Sequence, residues 1–78
     1  MNFTVYSKNG CPYCTKVKQV LQLAELPFVE YKQGTDFTKE EFISEFGKDA
    51  TYPRVLKNEE VLGGCMETVK YLRENKLV

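Results

Sequence analysis

The chain has 78 residues, which is enough for one small domain with a thin hydrophobic core. Its three cysteines are too few for a disulfide-dense secreted scaffold, and the lack of histidine excludes histidine-dependent zinc sites, Ser-His-Asp triads and Cys-His nucleophile pairs. Eleven basic residues balance eleven acidic ones, so the charge indicates neither a nucleic-acid partner nor binding to an anionic membrane.

These features predict a soluble, monomeric protein of the cytoplasm. No stretch is apolar enough to span a membrane, and the N-terminal residues lack the basic and apolar regions of a secretory signal. In the reducing cytosol, a close pair of cysteines is more often catalytic or metal-binding than structural.

The first half of the chain predicts a strand, a helix and a second strand. Alternating residues indicate a strand over Phe3–Ser7, which a Lys-Asn-Gly turn follows. The spacing i, i+3, i+4, i+7 then indicates an amphipathic helix whose apolar stripe consists of Val17, Val20, Leu21 and Ala24. Pro27 ends this helix at or before Leu26, and residues 28–31 form the second short strand.

A second helix is predicted after the loop that contains Gly34. Thr38 and Glu41 fit a capping box, with Thr38 as the N-cap and Glu41 at position N3. Phe42, Ile43 and Phe46 supply the apolar stripe of this helix. Gly47 then provides the residue that commonly ends a helix.

The last third of the chain predicts a hairpin and a third helix. Residues 54–56 and 61–62 are short strands on either side of a polar turn. After two glycines, an apolar stripe indicates a helix that ends near residue 75 and contains Met66, Val69 and Leu72. The expected fold is therefore α/β, in the order β-α-β-α-β-β-α, with a parallel first pair of strands, a right-handed crossover and an antiparallel hairpin.

The sequence Cys11-Pro12-Tyr13-Cys14 lies between the first strand and the first helix. Because proline is favoured at the first helical position, Cys11 is the predicted N-cap. Its sulfur would face the free N–H groups of Tyr13 and Cys14 and the positive end of the helix dipole. These groups, together with Lys8, favour the thiolate of Cys11, and Cys14 is close enough to close a small disulfide ring.

Two other interpretations of the cysteine pair remain open. The pair could be half of a zinc site, but zinc requires four ligands and only Cys65 and acidic residues are left to complete it. The two cysteines could also be inert and buried. A position between a strand and a helix, beside a β-α-β unit, instead favours a thioredoxin-like redox motif, and no metal site is predicted.

Together, C-P-Y-C at 11–14 after V-Y-S-K, T-Y-P at 51–53 and G-G-C at 63–65 resemble the dithiol glutaredoxins. The resemblance covers essentially the whole chain and implies a single glutaredoxin domain over residues 1–78. It further implies a thioredoxin-like fold, with a four-stranded mixed sheet flanked by three helices. The implied activity is glutathione-dependent thiol–disulfide exchange, with glutathione as a co-substrate and no tightly bound cofactor or metal.

The resemblance assigns roles to residues near the cysteine pair. Cys11 is the implied nucleophile and Cys14 the resolving thiol. Lys8 would hold the glycine carboxylate of glutathione, and Tyr13 would pack beside the bound tripeptide. Lys39 aligns approximately with a second basic residue that reaches the same carboxylate.

It also assigns roles to the two later motifs. In Thr51-Tyr52-Pro53 the proline would be cis, so that the backbone of Tyr52 could pair with the cysteinyl part of glutathione. Gly64 would let the ligand approach closely, and the following helix would offer N–H groups to the γ-glutamyl carboxylate. Cys65 would have no catalytic role and at most a regulatory one.

The chain departs from this family in two places. After G-G-C the family commonly has two acids, the first of which pairs with the ammonium group of glutathione, whereas this chain has Met66 and Glu67. Met66 cannot form that pair, and Glu67 replaces it only if the turn lets the carboxylate reach. Tyr52 and Arg54 add bulk and positive charge where the family favours smaller or amide side chains.

The expected partners are glutathione and proteins that are glutathionylated or contain a disulfide, with ribonucleotide reductase as one candidate. One alternative is a redoxin that serves ribonucleotide reductase and is recharged by thioredoxin reductase. Such redoxins carry a W-S-G-F segment where this chain has G-G-C. Another is an iron–sulfur carrier with a cluster held between two protomers by Cys11 and glutathione, although suitable relatives lack the second cysteine or the proline after the first.

Overall fold

A computed structural model describes residues 2–77, in which four strands and three helices form one mixed α/β unit. The strands are β1 (Phe3–Ser7), β2 (Phe28–Lys32), β3 (Arg54–Lys57) and β4 (Glu60–Gly63). The helices are α1 (Pro12–Leu23), α2 (Lys39–Phe46) and α3 (Cys65–Glu74). The order of elements predicted from the sequence is confirmed, as is the four-stranded mixed sheet.

The sheet has the strand order β2-β1-β3-β4, so β2 and β4 form its edges. β1 pairs with β2 in parallel and with β3 in antiparallel orientation, and β3 pairs with β4 as the predicted hairpin. In the β1–β3 pair, Tyr6 lies opposite Arg54. This register brings Lys8, just beyond the end of β1, to the same end of the central strands as Pro53, just before β3.

The hydrophobic core lies between one face of the sheet and the helices α1 and α3. Alternate residues of β1 point into it, and α1 contributes one stripe of its surface. Burying one large apolar side chain contributes roughly 1.5–3 kcal/mol to the stability of the fold, before the entropy cost of folding is subtracted. The buried members of the core are Phe3, Val5, Val17, Leu21, Val55, Cys65 and Leu72.

The buried face of α3 shares Leu72 with the stripe predicted from the sequence, and Val69 is partly buried against the core. Cys65, Thr68 and Leu72 are buried, whereas Met66 is 66% exposed. Thr68 is tolerated in the core because its hydroxyl donates a hydrogen bond of 2.8 Å to the carbonyl oxygen of Gly64. The predicted placement of Met66 on the buried face was therefore wrong, because the buried stripe runs through Cys65 and Thr68, each one residue before a position of the predicted stripe.

The opposite face of the sheet carries an aromatic cluster that holds α2. Tyr6 points to this face because residues alternate along β1. Its ring centroid lies 5.0 Å from that of Phe46 and 6.3 Å from that of Phe42. The aromatic cluster comprises Tyr6, Phe37, Phe42, Phe46 and Tyr52.

Both predicted ends of α2 are confirmed. The N–H of Glu41 donates to Thr38 Oγ1 at 3.1 Å, and the N–H of Thr38 donates to Glu41 Oε1 at 2.8 Å, which completes the capping box. Gly47 ends the helix with a φ of 96°, a conformation that glycine adopts without steric cost. None of the helices within residues 2–77 is both long and apolar enough to cross a membrane.

Glu30 connects three elements at the edge of the sheet. Its Oε2 accepts a hydrogen bond from Ser7 Oγ at the end of β1 and one of 2.8 Å from Lys18 Nζ in α1. The bond from Lys18, followed by the bond from Ser7, holds the pKa of the Glu30 carboxyl below its usual value, against a smaller opposing effect of burial. The hydroxyl of Ser7, which is buried, is thereby satisfied.

The lowered pKa of Glu30 predicts a stability contribution that depends on pH. The contribution is fully present above the ordinary glutamate value of about 4.3 and is lost as the pH falls through the lower folded-state value. Glu30→Gln should cost about 1 kcal/mol near pH 7, a fall in Tm of roughly 4–8 °C. It should also flatten the decline of Tm below about pH 5.

Thermal unfolding followed by circular dichroism from neutral to acidic pH measures both effects. The matched control is Glu60→Gln, which changes an exposed carboxylate of β4 and should keep the wild-type profile. A Glu30→Gln profile parallel to that of the wild type would show that these hydrogen bonds do not act on stability.

Candidate active site

The cysteine pair occupies the N-terminus of α1, as predicted. Cys11 is the N-cap, with an extended backbone (φ −111°, ψ 100°), and Pro12 takes the first helical position. The N–H of Cys14 donates a hydrogen bond to Cys11 Sγ at 3.2 Å. Of the two expected donors, Tyr13 and Cys14, the structure shows this bond for Cys14. Cys11 and Cys14 are joined by a disulfide, with their Cα atoms 5.2 Å apart.

The two cysteines differ in their access to solvent. Cys14 is 2% exposed and faces the core, whereas Cys11 is only partly buried. In the reduced state, a bulky disulfide therefore reaches the sulfur of Cys11 before that of Cys14. This difference matches the order of attack that a nucleophile and a resolving thiol require.

The turn before β3 lies beside the loop before α1. The Tyr52–Pro53 peptide bond is cis, as expected, and Pro53 is buried. Lys8 Nζ lies 4.9 Å from the centroid of the Tyr52 ring, within the range of a cation–π contact. The structure therefore brings together the predicted residues of the first and second motifs.

The glycine pair before α3 lies beside the Pro53 turn. Gly63 has a φ of 123°, and a Cβ at this position would come within 2.9 Å of the Glu67 side chain. A Cβ at Gly64 would lie 3.1 Å from Glu67 Oε1 and 3.5 Å from the carbonyl oxygen of Pro53. The close approach of these backbones joins the third motif to the second.

The first turn of α3 places its two unusual residues in different environments. The side chain of Met66 is exposed, whereas Glu67 Oε1 accepts a hydrogen bond of 2.7 Å from the N–H of Gly64. Glu67 thus caps its own helix with one carboxylate oxygen. The N–H groups expected to bind the γ-glutamyl carboxylate belong to the residues after Gly64.

Cys65 lies at the start of α3 as a free, buried thiol. Burial raises the pKa of this thiol; Lys16 opposes the shift and Glu67 adds to it. A protonated and inaccessible thiol is a poor nucleophile, in keeping with its predicted lack of a catalytic role.

Some of the predicted site residues form no shared contact in the structure. Tyr13 is 57% exposed and Thr51 is also exposed, and neither side chain takes part in a hydrogen bond or an aromatic pair within residues 2–77. The guanidinium carbon of Arg54 lies 6.0 Å from the Phe46 ring centroid, so this charge packs against α2. In the part of the chain that the structure describes, no three acidic or cysteine side chains cluster as a metal site would require.

Sequence reasoning missed Gln33, which follows β2. The hydroxyl of Tyr52 donates a hydrogen bond of 2.5 Å to Gln33 Oε1. The sequence offers no local signal for this contact, because the two residues are 19 positions apart and Gln33 lies in an irregular segment.

Known proteins resemble this chain in sequence and in structure. The glutaredoxin family pattern matches residues 3–62. A glutaredoxin from Vernicia fordii is 36% identical over 77 residues, which cover 95% of this chain and 74% of that protein. Glutaredoxin 1 of Rickettsia prowazekii is 29% identical over 75 residues, covering 94% and 79%.

Solved structures agree with these sequence matches. Glutaredoxin 1 from Francisella tularensis, complexed with cacodylate, superposes with a TM-score of 0.79 at 26% identity, covering 97% of this chain and 95% of that one. A buckwheat glutaredoxin–glutathione complex gives a TM-score of 0.77 at 25% identity, covering 96% and 71%.

The geometry of the cysteine pair predicts selective alkylation of the reduced protein. Cys11 should react with iodoacetamide below about pH 8, because the helix N-terminus favours its thiolate. Cys14 should react slowly at all pH values, because it is buried. Peptide mass mapping after timed labelling measures both rates, and Cys14→Ser isolates the rate of Cys11. Faster labelling of Cys14 than of Cys11 would reverse the assignment of the nucleophile.

Proposed function

The chain belongs to the glutaredoxin family of thiol–disulfide oxidoreductases, and we propose that it uses glutathione to reduce protein disulfides and glutathione mixed disulfides. The observation that carries the proposal is the Cys11–Cys14 disulfide at the N-terminus of α1. There the sulfur of Cys11 is accessible and accepts a hydrogen bond from an N–H group, while Cys14 is buried. Cys11 acts as the nucleophile and Cys14 as the resolving thiol.

Glutathionylated proteins are reduced by one cysteine. The Cys11 thiolate attacks the glutathione sulfur of the mixed disulfide, and the protein thiolate leaves and takes up a proton. Cys11 is then disulfide-bonded to glutathione. A second glutathione thiolate attacks the bound glutathione sulfur, which releases glutathione disulfide and restores the Cys11 thiolate.

Protein disulfides are reduced by both cysteines. The Cys11 thiolate attacks one substrate sulfur and releases the other as a thiolate. The deprotonated Cys14 sulfur then attacks Cys11, expels the second substrate thiolate and leaves the Cys11–Cys14 disulfide. Two glutathione molecules return the pair to the reduced state and leave as glutathione disulfide. The helix N-terminus assists each step in which Cys11 leaves as a thiolate.

We place glutathione across the three neighbouring segments formed by the cysteine pair, the Pro53 turn and the first turn of α3. A buckwheat relative has been solved as a complex with glutathione, which supports glutathione as the ligand. Lys8 pairs with the glycine carboxylate, the backbone of Tyr52 pairs with the cysteinyl part, and Tyr13 packs beside the tripeptide. The N–H groups after Gly64 receive the γ-glutamyl carboxylate.

We place the reaction in the cytoplasm, where glutathione is the reductant. Glutaredoxin potentials of about −200 to −230 mV allow exchange with the glutathione pool there. Proteins with accessible mixed disulfides are the proposed partners, and ribonucleotide reductase is one candidate.

A coupled assay tests the proposal directly. The oxidised protein is offered glutathione with glutathione reductase, or thioredoxin reductase alone, each with NADPH, and NADPH consumption is followed. Reduction in the first arm supports the proposal, whereas reduction only in the second would identify a redoxin. A visible-region spectrum of anaerobically purified protein with glutathione detects an iron–sulfur cluster, the other alternative.

The one-cysteine and two-cysteine routes, for glutathionylated proteins and protein disulfides respectively, predict different effects of Cys14→Ser. Deglutathionylation should survive, because it needs Cys11 alone. Reduction of protein disulfides should fall by roughly two orders of magnitude, because the mixed disulfide is no longer resolved from within the protein. Both activities are measured by coupled NADPH oxidation, with Cys65→Ser as the matched control that should leave both nearly intact. Equal loss of both activities in Cys14→Ser would contradict the two-route mechanism.

Replacing Met66 with an acidic residue should increase the affinity for glutathione. The γ-glutamyl ammonium needs an acceptor, and Glu67 already uses one oxygen to cap α3. Met66→Asp should therefore lower the glutathione concentration for half-maximal rate about fivefold, equivalent to about 1 kcal/mol, the upper range for an exposed ion pair.

Steady-state kinetics at fixed pH with varied glutathione measure this change. Met66→Asn is the matched control, because it has the shape of aspartate without its charge. Glu67→Gln keeps an oxygen for the cap and should have little effect. An unchanged or weaker glutathione dependence in Met66→Asp would show that the ammonium binds elsewhere.

A further inference from the structure

An apolar groove of about 340 Å³ lies between helices α1 and α3, and we call it the α1–α3 groove. Its lining residues are Val20, Leu23, Ala24, Val69 and Arg73. The two helices pack side by side, and both begin near the candidate site, α1 after Cys11 and α3 after Gly64. Lys16 lies close enough to Cys65 for its charge to favour the thiolate of that residue, so the first turns of the two helices are neighbours. The groove therefore leads away from the site along both helices.

The α1–α3 groove adjoins apolar side chains that solvent reaches. Val20 and Val69 are partly buried and pack against the hydrophobic core below the groove. Leu23 of α1 is 85% exposed, and Met66, three positions before Val69 on α3, is 66% exposed. Residues three or four positions apart lie on the same side of a helix, so Met66 continues the apolar surface toward the site. An apolar surface that is continuous in this way is typical of a binding site, whereas a single exposed leucine is not.

The helical faces that border the groove carry only positive charge. Positions i, i+3, i+4 and i+7 form one face of a helix. The two faces consist of Lys16, Gln19, Val20 and Leu23 on α1 and of Met66, Val69, Lys70 and Arg73 on α3. Three of these residues, Lys16, Lys70 and Arg73, are exposed cations, which we call the basic rim. Within residues 2–77 none of them lies within 4.0 Å of a carboxylate, since Lys18 and Glu30 form the one ion pair found there.

The acidic residues of the same helices form no ion pair with the basic rim in the described part of the chain. α1 contains no acidic residue at all. The two of α3, Glu67 and Glu74, lie outside the face described above, and the Glu67 carboxylate accepts the hydrogen bond from the N–H of Gly64. The groove therefore combines an apolar floor with borders whose positive charge is not paired.

We propose that the α1–α3 groove docks an acidic amphipathic helix that lies next to the reactive cysteine of a glutathionylated protein substrate. The proposal rests on the proposed function and names a class of substrate, while the exchange at Cys11 stays as described above. The apolar stripe of such a helix covers the floor of the groove, and its carboxylates face the basic rim. A helix of 12 residues, the length of α1, spans about 18 Å, which is enough to extend from the site along the groove.

The charge and shape of the groove favour this occupant over two others. A second copy of the chain would bring its own basic rim against the first, because equivalent surfaces meet in a two-fold dimer, and the like charges would repel each other. An anionic membrane would match the charge but presents a flat surface. The floor of the groove lies between two helices, where a third helix can pack by inserting its side chains. An acidic helix matches both the charge and the shape.

Three synthetic peptides, each with one glutathionylated cysteine, test the apolar face and the charge separately. The first is an acidic amphipathic helix with leucines on one face and glutamates on the other. The second has the same composition in scrambled order, and the third has lysine in place of each glutamate. Each peptide is made with the cysteine at either end, because the groove accommodates a helix in either direction.

Deglutathionylation is measured by the coupled glutathione reductase assay at fixed glutathione, with glutathionylated free cysteine as a small reference substrate. The acidic amphipathic peptide, with its cysteine at one of the two ends, should have a KM about tenfold lower than those of the other two peptides, with similar kcat values. The difference should shrink at high salt, because the charges of the basic rim are exposed and therefore screened.

Variants of the groove locate the docking surface. Leu23→Gln should raise the KM for the acidic amphipathic peptide about fivefold, because it removes the exposed apolar side chain at the groove. Lys70→Glu combined with Arg73→Glu should abolish the preference for the acidic peptide over the lysine peptide. The matched controls are Val61→Gln, at an exposed apolar residue of β4, and Lys48→Glu, at an exposed lysine after α2, and both should keep the wild-type values. Turnover of glutathionylated cysteine, which is too small to reach the groove, should stay unchanged in every variant.

Each outcome bears on one proposal or on both. A wild type that turns over neither glutathionylated cysteine nor any peptide overturns the proposed function, and the docking proposal with it. Turnover of glutathionylated cysteine with equal KM for the three peptides overturns the docking proposal alone, as does a peptide preference that Leu23→Gln and the double variant leave intact.

Two further measurements address the other occupants of the groove. Cosedimentation with phosphatidylserine vesicles that Leu23→Gln abolishes, without any peptide preference, would assign the groove to a membrane and overturn the docking proposal. Dimerisation in analytical ultracentrifugation that the same variant abolishes, again without a peptide preference, would assign it to a second copy of the chain.

Discussion

The hydrogen bond from the N–H of Cys14 to the sulfur of Cys11 is the constraint on which the site depends. It exists because Pro12 starts α1 and leaves Cys11 as the cap, with its sulfur against the open end of the helix. The same geometry buries Cys14 one turn later. The four residues from Cys11 to Cys14 thus favour the thiolate of Cys11 and also bury the sulfur of Cys14.

The rest of the fold brings three other segments to that helix end. The register of β1 with β3 places Lys8 beside Tyr52, and the β3–β4 hairpin returns the chain so that Gly64 approaches Pro53. Each of these segments adjoins a strand or helix that contributes at least one side chain to the hydrophobic core. The site is therefore built from short loops on a rigid support, which keeps its groups in place without a large core.

Much of the fold follows from local signals in the sequence, whereas the contacts between segments do not. The caps Cys11 and Thr38 depend on residues within four positions, and both were predicted correctly. Met66 was wrongly placed on the buried face of α3, because Thr68 is buried there with its hydroxyl bonded to the carbonyl oxygen of Gly64, a contact that no hydrophobic pattern records. Contacts such as Tyr52 with Gln33 join distant positions, and their residue types are common on exposed loops.

The Glu30 carboxylate also bears on how the edge of the sheet meets other molecules, because inward-pointing charges are one of the features that disfavour pairing of edge strands. β2 is an edge strand with unpaired backbone groups along one side, and Val29 and Tyr31 are exposed on it. Such an edge can pair with the edge of a second chain. Glu30 lies on the inner side of this strand and is bound to Lys18, so a strand added from another molecule would bring its own side chain against a charged pair. The ion pair that ties α1 to the sheet thereby makes β2 a poor template for intermolecular strand addition.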